Sequence, residues 1–122
     1  MADFSVVGTY RYSAPEILEG QRLTIEQFFC ADIYSMGVTI IELLTEKEPF
    51  SDYNIHQLRK AVLAGEKPKW DHICIPSYLQ VLINKCISKS PADRPTASDF
   101  LMCFKKFNTA IGEKEINLSI NN

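Results

Sequence analysis

The chain has 122 residues, a length that suits one domain with a sizeable buried core. Its 13 basic and 15 acidic residues give a formal net charge of −2, and 46% of its residues are hydrophobic. This composition argues against a disordered chain, and the lack of a basic excess argues against a nucleic-acid partner.

The first predicted element follows a polar, turn-forming segment, Gly8 to Ser13. Pro15 suits the first position of a short helix, where its missing N–H is not needed, and Glu16 suits the first turn. We expect this helix to end near Gly20. The segment before it has the character of a binding edge.

The second predicted element is a long apolar helix from Phe28 to Thr45, with Thr24 as a possible cap further upstream. Its hydrophobic residues fall on every face, which is typical of a membrane span or of the buried axis of a domain. Asp32 and Glu42 lie inside it, and charges are costly in lipid. The sequence therefore predicts a buried central helix and no membrane partner.

Three further helices are predicted, and no strand pattern is present, so the fold class is mainly α. Ile55 to Ala64 is amphipathic, with Gly65 after its end, and Pro76 to Ile87 has apolar residues at helical spacing. Thr96, with Asp99 three residues later, is a variant of the capping box that starts the last helix. The polar tail, residues 111–122, is expected to fray.

The cysteines and histidines give no sign of a metal site. They are far apart in the sequence, whereas zinc ligands usually cluster; these residues are Cys30, Cys74, Cys86, Cys103, His56 and His72. We expect reduced cysteines and no bound metal. The N-terminus lacks the basic flank and apolar run of a signal peptide, so a cytoplasmic location is expected.

Three motifs occur in an order that resembles the C-terminal lobe of a eukaryotic protein kinase. Residues 8–16 are similar to the end of the activation segment, with its Ala-Pro-Glu. Residues 32–37 resemble the D-x-(W/Y)-S-x-G of that lobe's central helix. Residues 86–96 resemble C-W-x-x-(D/N)-P-x-x-R-P-T, although Ile87 replaces Trp and Ser90 replaces Asp or Asn. The resemblance covers about residues 6 to 110 and implies an incomplete kinase-like fold, without N-lobe or catalytic loop.

The resemblance implies a substrate-binding role for the opening segment. The candidate residues are Gly8, Thr9, Tyr10, Arg11, Tyr12 and Ser13. In serine/threonine kinases, the threonine that Thr9 resembles meets the catalytic aspartate. Residues 10–13 would contact the substrate residue after the phosphoacceptor. This pattern favours serine/threonine substrates or a tyrosine-kinase-like relative.

Four further residues are candidates for structural roles. Glu16 and Arg94 could form a partly buried ion pair, because the planar guanidinium matches a carboxylate; two unrelated surface charges are the alternative. The resemblance implies that Asp32 accepts bonds from a catalytic-loop backbone, the alternative being a solvent-facing charge. Gly37 would let another backbone approach the central helix at a cost in helix propensity.

The groups that a kinase uses for phosphoryl transfer are missing from these 122 residues. The glycines are too far apart to form a glycine-rich loop, and neither a V-A-I-K lysine nor an H-R-D loop occurs. We therefore predict no catalytic or cofactor-binding residue here, although a complete family member would use ATP and Mg. Asp3-Phe4-Ser5 is similar to D-F-G, but only residues 6–13 separate it from Ala14. A coincidental sequence is favoured over a relic in which Asp3 binds metal.

The leading hypothesis is a truncated protein kinase, with a partial kinase domain at 1–110 and a polar tail at 111–122. Such a chain should be inactive alone and retain at most docking of a protein or peptide, or of a missing N-lobe. It should also expose an apolar patch where the catalytic loop would lie. The alternatives are a free-standing, pseudokinase-like interaction module and a helical adaptor unrelated to kinases.

Overall fold

A computed structural model describes residues 10–70 and 74–121, which form helices and no strand. The helices are α1 (Pro15–Leu18), α2 (Ile25–Thr45), α3 (Ile55–Leu63), α4 (Ser77–Cys86) and α5 (Ala97–Asn121), with a 3-10 turn at Pro91–Asp93. The predicted mainly α class is confirmed.

The long helix α2 is the axis of the structure. It begins at Thr24, whose hydroxyl accepts from the Gln27 N–H at 3.2 Å while the Gln27 amide oxygen accepts from the Thr24 N–H at 2.8 Å. This reciprocal capping pairs N–H groups that the helix itself leaves unbonded. The helix ends at Glu46, which has a left-handed φ of 58°. Helix α4 and the 3-10 turn both pack against α2.

The core lies between α2 and the helices on one side of it. Its buried apolar side chains come from α2, α3 and α4, from Ala14 just before α1 and from Ile87 just after α4. They include Ala14, Tyr34, Val38, Ile41, Leu58, Val62, Leu79, Ile83 and Ile87. A smaller cluster of Ile33, Cys86 and Phe100 joins α2 and α4 to α5. Burial of these side chains is the main force that holds the helices together.

In the part of the chain that the structure describes, α2 is buried on one side and exposes apolar residues on the other, as expected for a central helix with an apolar patch. One face remains exposed, which we call the open face of α2; it consists of Ile25, Phe28, Phe29, Met36 and Leu43. Apart from the adjacent Phe28 and Phe29, successive members are about one or two helical turns apart, so they form a single stripe. By length and composition α2 could also cross a membrane. A helix that is apolar all round needs a second packing layer, and the described residues provide only one.

Two of the remaining helices also begin with a side-chain cap. The Thr96 hydroxyl accepts from the Asp99 N–H at 3.2 Å before α5, as predicted. The Asn54 side chain accepts from the Gln57 N–H at 2.9 Å at the start of α3, a cap that was not predicted from the sequence. Helix α5 continues to Asn121, through the polar segment at residues 111–121. After Gly112 the sequence contains no Pro or Gly that would interrupt a helix.

Candidate functional site

The candidate site is the turn that leads into α1, and the structure describes it from Tyr10 onwards. Gly8 and Thr9, predicted to bind substrate, and the Asp3-Phe4-Ser5 run lie outside the described residues. The Ser13 N–H donates to the Tyr10 carbonyl at 3.2 Å and closes the turn. We call residues 10–13 the ledge.

Arg11 joins the ledge to the loop between α2 and α3, residues 46–54. Its Nη1 donates to the Phe50 carbonyl at 2.5 Å, and its Nη2 lies 3.4 Å from the Tyr53 carbonyl. Its Nε lies 3.1 Å from the Glu48 carboxylate. The Arg11 side chain is only 14% exposed. Its charge is therefore satisfied within the protein.

The α2–α3 loop is strained at the residue that Arg11 contacts. Phe50 has a φ of +53°, a conformation that bulky side chains rarely adopt and that costs roughly 1–3 kcal/mol. The Phe50 carbonyl accepts from Arg11 and also from the Tyr53 N–H at 3.0 Å. These two bonds help to hold the turn, which precedes the Asn54 cap of α3.

Tyr12 fastens the ledge to α2. Its hydroxyl donates to the Glu42 carboxylate at 2.7 Å, and its carbonyl accepts from the Ser35 hydroxyl at 2.8 Å. Desolvation, assisted by the bond to Glu42, raises the pKa of Tyr12 to about 12. Tyr12 therefore remains neutral, and remains a donor, throughout the physiological range.

Glu16 and Arg94 form a buried, two-pronged ion pair below the ledge. Nη2 of Arg94 lies 2.9 Å from one carboxylate oxygen of Glu16, and Nη1 lies 2.5 Å from the other. The Arg94 side chain is fully buried and the Glu16 side chain is 9% exposed. The pair joins the start of α1 to the segment before α5.

Backbone carbonyls complete the surroundings of Arg94. Its guanidinium donates to the carbonyls of Ser88 at 2.9 Å, Cys30 at 3.0 Å and Lys89 at 3.1 Å. The guanidinium also lies over the Tyr34 ring, 5.1 Å from its centroid. Burial raises the pKa of Tyr34 to about 12. Every side of the Arg94 charge thus has a partner, as a buried charge requires.

Gly37 lies where α4 ends against α2. A Cβ at this position would lie 2.7 Å from the Cys86 Cβ and 3.0 Å from the Ile87 Cγ2, so only glycine fits without a shift. Burial raises the pKa of the Cys86 thiol to about 12, which makes this cysteine a packing residue. The close approach places the carbonyls that follow α4 within reach of Arg94.

Asp32 is exposed, next to the open face of α2, and the structure brings it to none of the other predicted site residues. No described residue bonds to its carboxylate. Within the described residues, no group of three or more His, Cys, Asp or Glu could hold a metal ion. All four cysteines are free thiols.

Sequence reasoning missed the residues that hold the ledge in place. Glu42 could have been found, because a carboxylate in an apolar helix needs a donor. Ser35 lies within the second motif but was given no role. The contact between Arg11 and the Phe50 carbonyl leaves no sequence signal, because its acceptor is a main-chain atom.

The arrangement is a helical lobe in which the ledge is fastened to the central helix α2. A family model described as "Protein kinase domain" matches residues 3–103. The chain therefore belongs to the protein kinase family, and the predicted resemblance is confirmed.

Individual relatives agree with this assignment. The chain is 33% identical over 102 residues to the serine/threonine-protein kinase mos of Patiria pectinifera, a match that covers 83% of this chain and 28% of mos. It is 32% identical over 108 residues to the serine/threonine/tyrosine-protein kinase HT1 of Arabidopsis thaliana, covering 88% of this chain and 26% of HT1. It is 35% identical over 99 residues to the dual specificity protein kinase shkC of Dictyostelium discoideum, covering 80% and 19%. The chain thus spans less than a third of the length of each.

Proposed function

We propose that this chain is the substrate-docking part of a serine/threonine kinase domain and that it transfers no phosphate by itself. The observation that carries the proposal is the ledge, which Arg11 and Tyr12 hold against two different elements. A binding segment that is already ordered loses less conformational entropy when its partner arrives. Family members use ATP and Mg, and the residues that would bind them are missing from these 122 residues.

The open face of α2 supports completion by the rest of a kinase domain. Its exposed phenylalanines, Phe28 and Phe29, form an apolar surface of the kind that marks a lost partner. A pseudokinase-like module that functions alone is the alternative, but its open face would be expected to carry polar residues. The central position of α2 and the charges of Asp32 and Glu42 favour a core helix over a membrane span.

We further propose a cytoplasmic location, with protein or peptide partners and no nucleic acid. The formal net charge of −2 supports the proposal that the chain has no nucleic-acid partner. The surfaces proposed to contact a partner are the ledge and helix α3, which lies beside α1.

A chimera tests the proposal. The matching part of the Patiria kinase mos is replaced by residues 8–103 of this chain, and phosphate transfer from ATP to casein is measured. We expect the 122-residue chain alone to transfer no phosphate and the chimera to phosphorylate serine or threonine. The same chimera with Arg22→Glu, an exposed change outside both the ledge and helix α3, is the control for surface charge.

Two results would contradict the proposal. Phosphate transfer by the isolated chain would show that it is not limited to docking. A chimera that folds by circular dichroism and binds ATP, yet phosphorylates no protein, would show that the ledge and α3 do not hold a substrate.

A further inference from the structure

A small cleft lies between α1 and α3, next to the ledge. Its volume is about 280 Å³. The lining residues are Tyr10, Ile17, Leu18, Gly20, Ile55, Leu58 and Arg59. We call it the α1–α3 cleft. Its volume is below the range of roughly 300–1,000 Å³ that is typical of sites for small molecules, so it suits a single large side chain.

The walls of the cleft are apolar and incompletely covered. Leu58 is buried at the base, while Ile17, Leu18 and Ile55 are only half-buried. A partner's apolar side chain placed here would remove these carbons from water, at roughly 25 cal/mol per Å² of apolar surface. The cleft can therefore gain binding energy from a leucine or a phenylalanine.

Arg59 is the one charged residue in the lining, so the cleft carries a positive charge at its edge. Its side chain is exposed, and it forms no ion pair with any residue that the structure describes. Arg11, by contrast, is occupied by Glu48 and by backbone carbonyls. Among the residues that the structure describes, Arg59 is thus a free cation beside the ledge, and a carboxylate is the complementary partner.

A larger cavity elsewhere offers no such selectivity. It measures about 710 Å³ and lies between the α2–α3 loop and the segment that follows α3. Its charged lining residues are Lys47, Lys67, Lys69, Glu48, Asp52 and Glu66. With three cations and three anions, this cavity favours neither a positively nor a negatively charged partner.

We propose that the α1–α3 cleft binds an apolar side chain of a protein substrate, together with an adjacent Asp or Glu that pairs with Arg59. The inference rests on the proposed docking function, and it names the chemistry of the docked segment. Because Tyr10 belongs to both the ledge and the cleft, one extended peptide can occupy both. The acidic residue selects the substrate, and the apolar residue supplies most of the contact area.

Peptide selection on the full chain tests this. Random 12-residue peptides displayed on phage are selected against the immobilised 122-residue chain, and the enriched peptides are synthesised for affinity measurement. We expect enrichment of a leucine or phenylalanine close to Asp or Glu. Arg59→Glu should weaken these peptides by about tenfold or more, which corresponds to roughly 1.4 kcal/mol.

Lys60→Glu is the matched control. Lys60 is the next residue of α3, it is exposed, and it does not line the cleft. Lys60→Glu makes the same charge change, but it should reach the bound peptide only through long-range electrostatics. We therefore expect it to alter the affinity for the selected peptides by about twofold at most. Ile55→Lys should abolish binding of the same peptides because it fills the apolar wall with a charge. Circular dichroism checks that each variant keeps the helix content of the parent.

The outcomes separate this inference from the proposed function. Peptides that bind the ledge and α3 but lack an acidic residue, with affinities unchanged in Arg59→Glu, would overturn the inference and leave docking intact. Failure to enrich any peptide on the folded chain would overturn both. Equal losses in Arg59→Glu and Lys60→Glu would show a diffuse charge effect and would also overturn the inference.

Discussion

Two arginines hold the ledge and helix α1 in place. One belongs to a buried ion pair, and the other belongs to an ion pair at the surface. Arg94 holds Glu16 from inside, where both side chains are almost completely buried. Arg11 holds the α2–α3 loop from outside, where its carboxylate partner Glu48 is 53% exposed. We call these the inner clamp and the outer clamp. The same guanidinium chemistry thus serves to maintain the fold in one place and to position a surface in the other.

Burial determines how much each clamp contributes. Removing one member of a buried pair leaves an unpaired charge away from water, which costs about 3–5 kcal/mol. An exposed ion pair contributes only about 0–1 kcal/mol, because water solvates each partner when the other is lost. The outer clamp adds bonds from Arg11 to the carbonyls of Phe50 and Tyr53, so it should lie between these limits.

The largest expected effect is that of Arg94→Ala. It removes the partner of Glu16 and the donor to three carbonyls, so we expect a loss of about 3–5 kcal/mol in unfolding free energy. Since domains are typically stable by only about 5–15 kcal/mol, the variant should be close to unfolded at 25 °C. Urea unfolding followed by circular dichroism measures the change.

Arg22→Ala is the control for the inner clamp. Arg22 is exposed and bonds to none of the described residues, so its loss should change stability by less than about 0.5 kcal/mol. An unchanged unfolding midpoint in Arg94→Ala would contradict the inner clamp.

The second prediction concerns the outer clamp. Arg11→Gln removes the ion pair and weakens the carbonyl bonds, and we expect a loss of about 1–2 kcal/mol. Glu48→Gln removes only the exposed charge and should cost about 0–1 kcal/mol. Urea unfolding of both variants compares the two. Equal losses would mean that the carbonyl bonds contribute nothing and that Arg11 acts only through Glu48.

Sequence reasoning predicted the helices well because their signals are local. The caps at Thr24 and Thr96 are defined by residues three positions apart, and the structure shows both. The open face of α2 could not be predicted from periodicity. An apolar stripe has the same pattern whether or not a neighbour covers it, so the exposure of Phe28 depends on what else is folded beside α2.

The candidate site shows the same division. The pairing of Glu16 with Arg94, 78 positions apart, came from the family resemblance, and the structure places the two side chains in contact. Asp32 has no partner in the described part of the chain, because the element that the resemblance assigns to it is absent there. The partners of Arg11 are carbonyl oxygens, which every residue carries, so no residue type marks them.

The smallest predicted effect is that of Tyr12→Phe, which tests a contact lying between the two clamps. The substitution removes the hydrogen bond to Glu42 and keeps the ring, so we expect a loss of about 1 kcal/mol at pH 8. Tyr78→Phe is the control, because the buried Tyr78 hydroxyl has no hydrogen-bond partner among the described residues. Its loss should be neutral or slightly stabilising.

The pH dependence of this difference tests whether the hydroxyl of Tyr12 contributes to stability. Folding raises the pKa of Tyr12 from 10.0 to about 12, mainly through desolvation, so the folded state favours the neutral hydroxyl. Its contribution is therefore complete below pH 10 and is lost as the pH rises towards 12. Tyr34 also has a pKa raised to about 12, but it is present in the parent and in Tyr12→Phe, so its contribution to the pH dependence cancels when the two are compared. The gap between the parent and Tyr12→Phe should shrink when urea unfolding is repeated at increasing pH across that range. A gap that stays constant would mean that Tyr12 stabilises the ledge by packing and not through its hydroxyl.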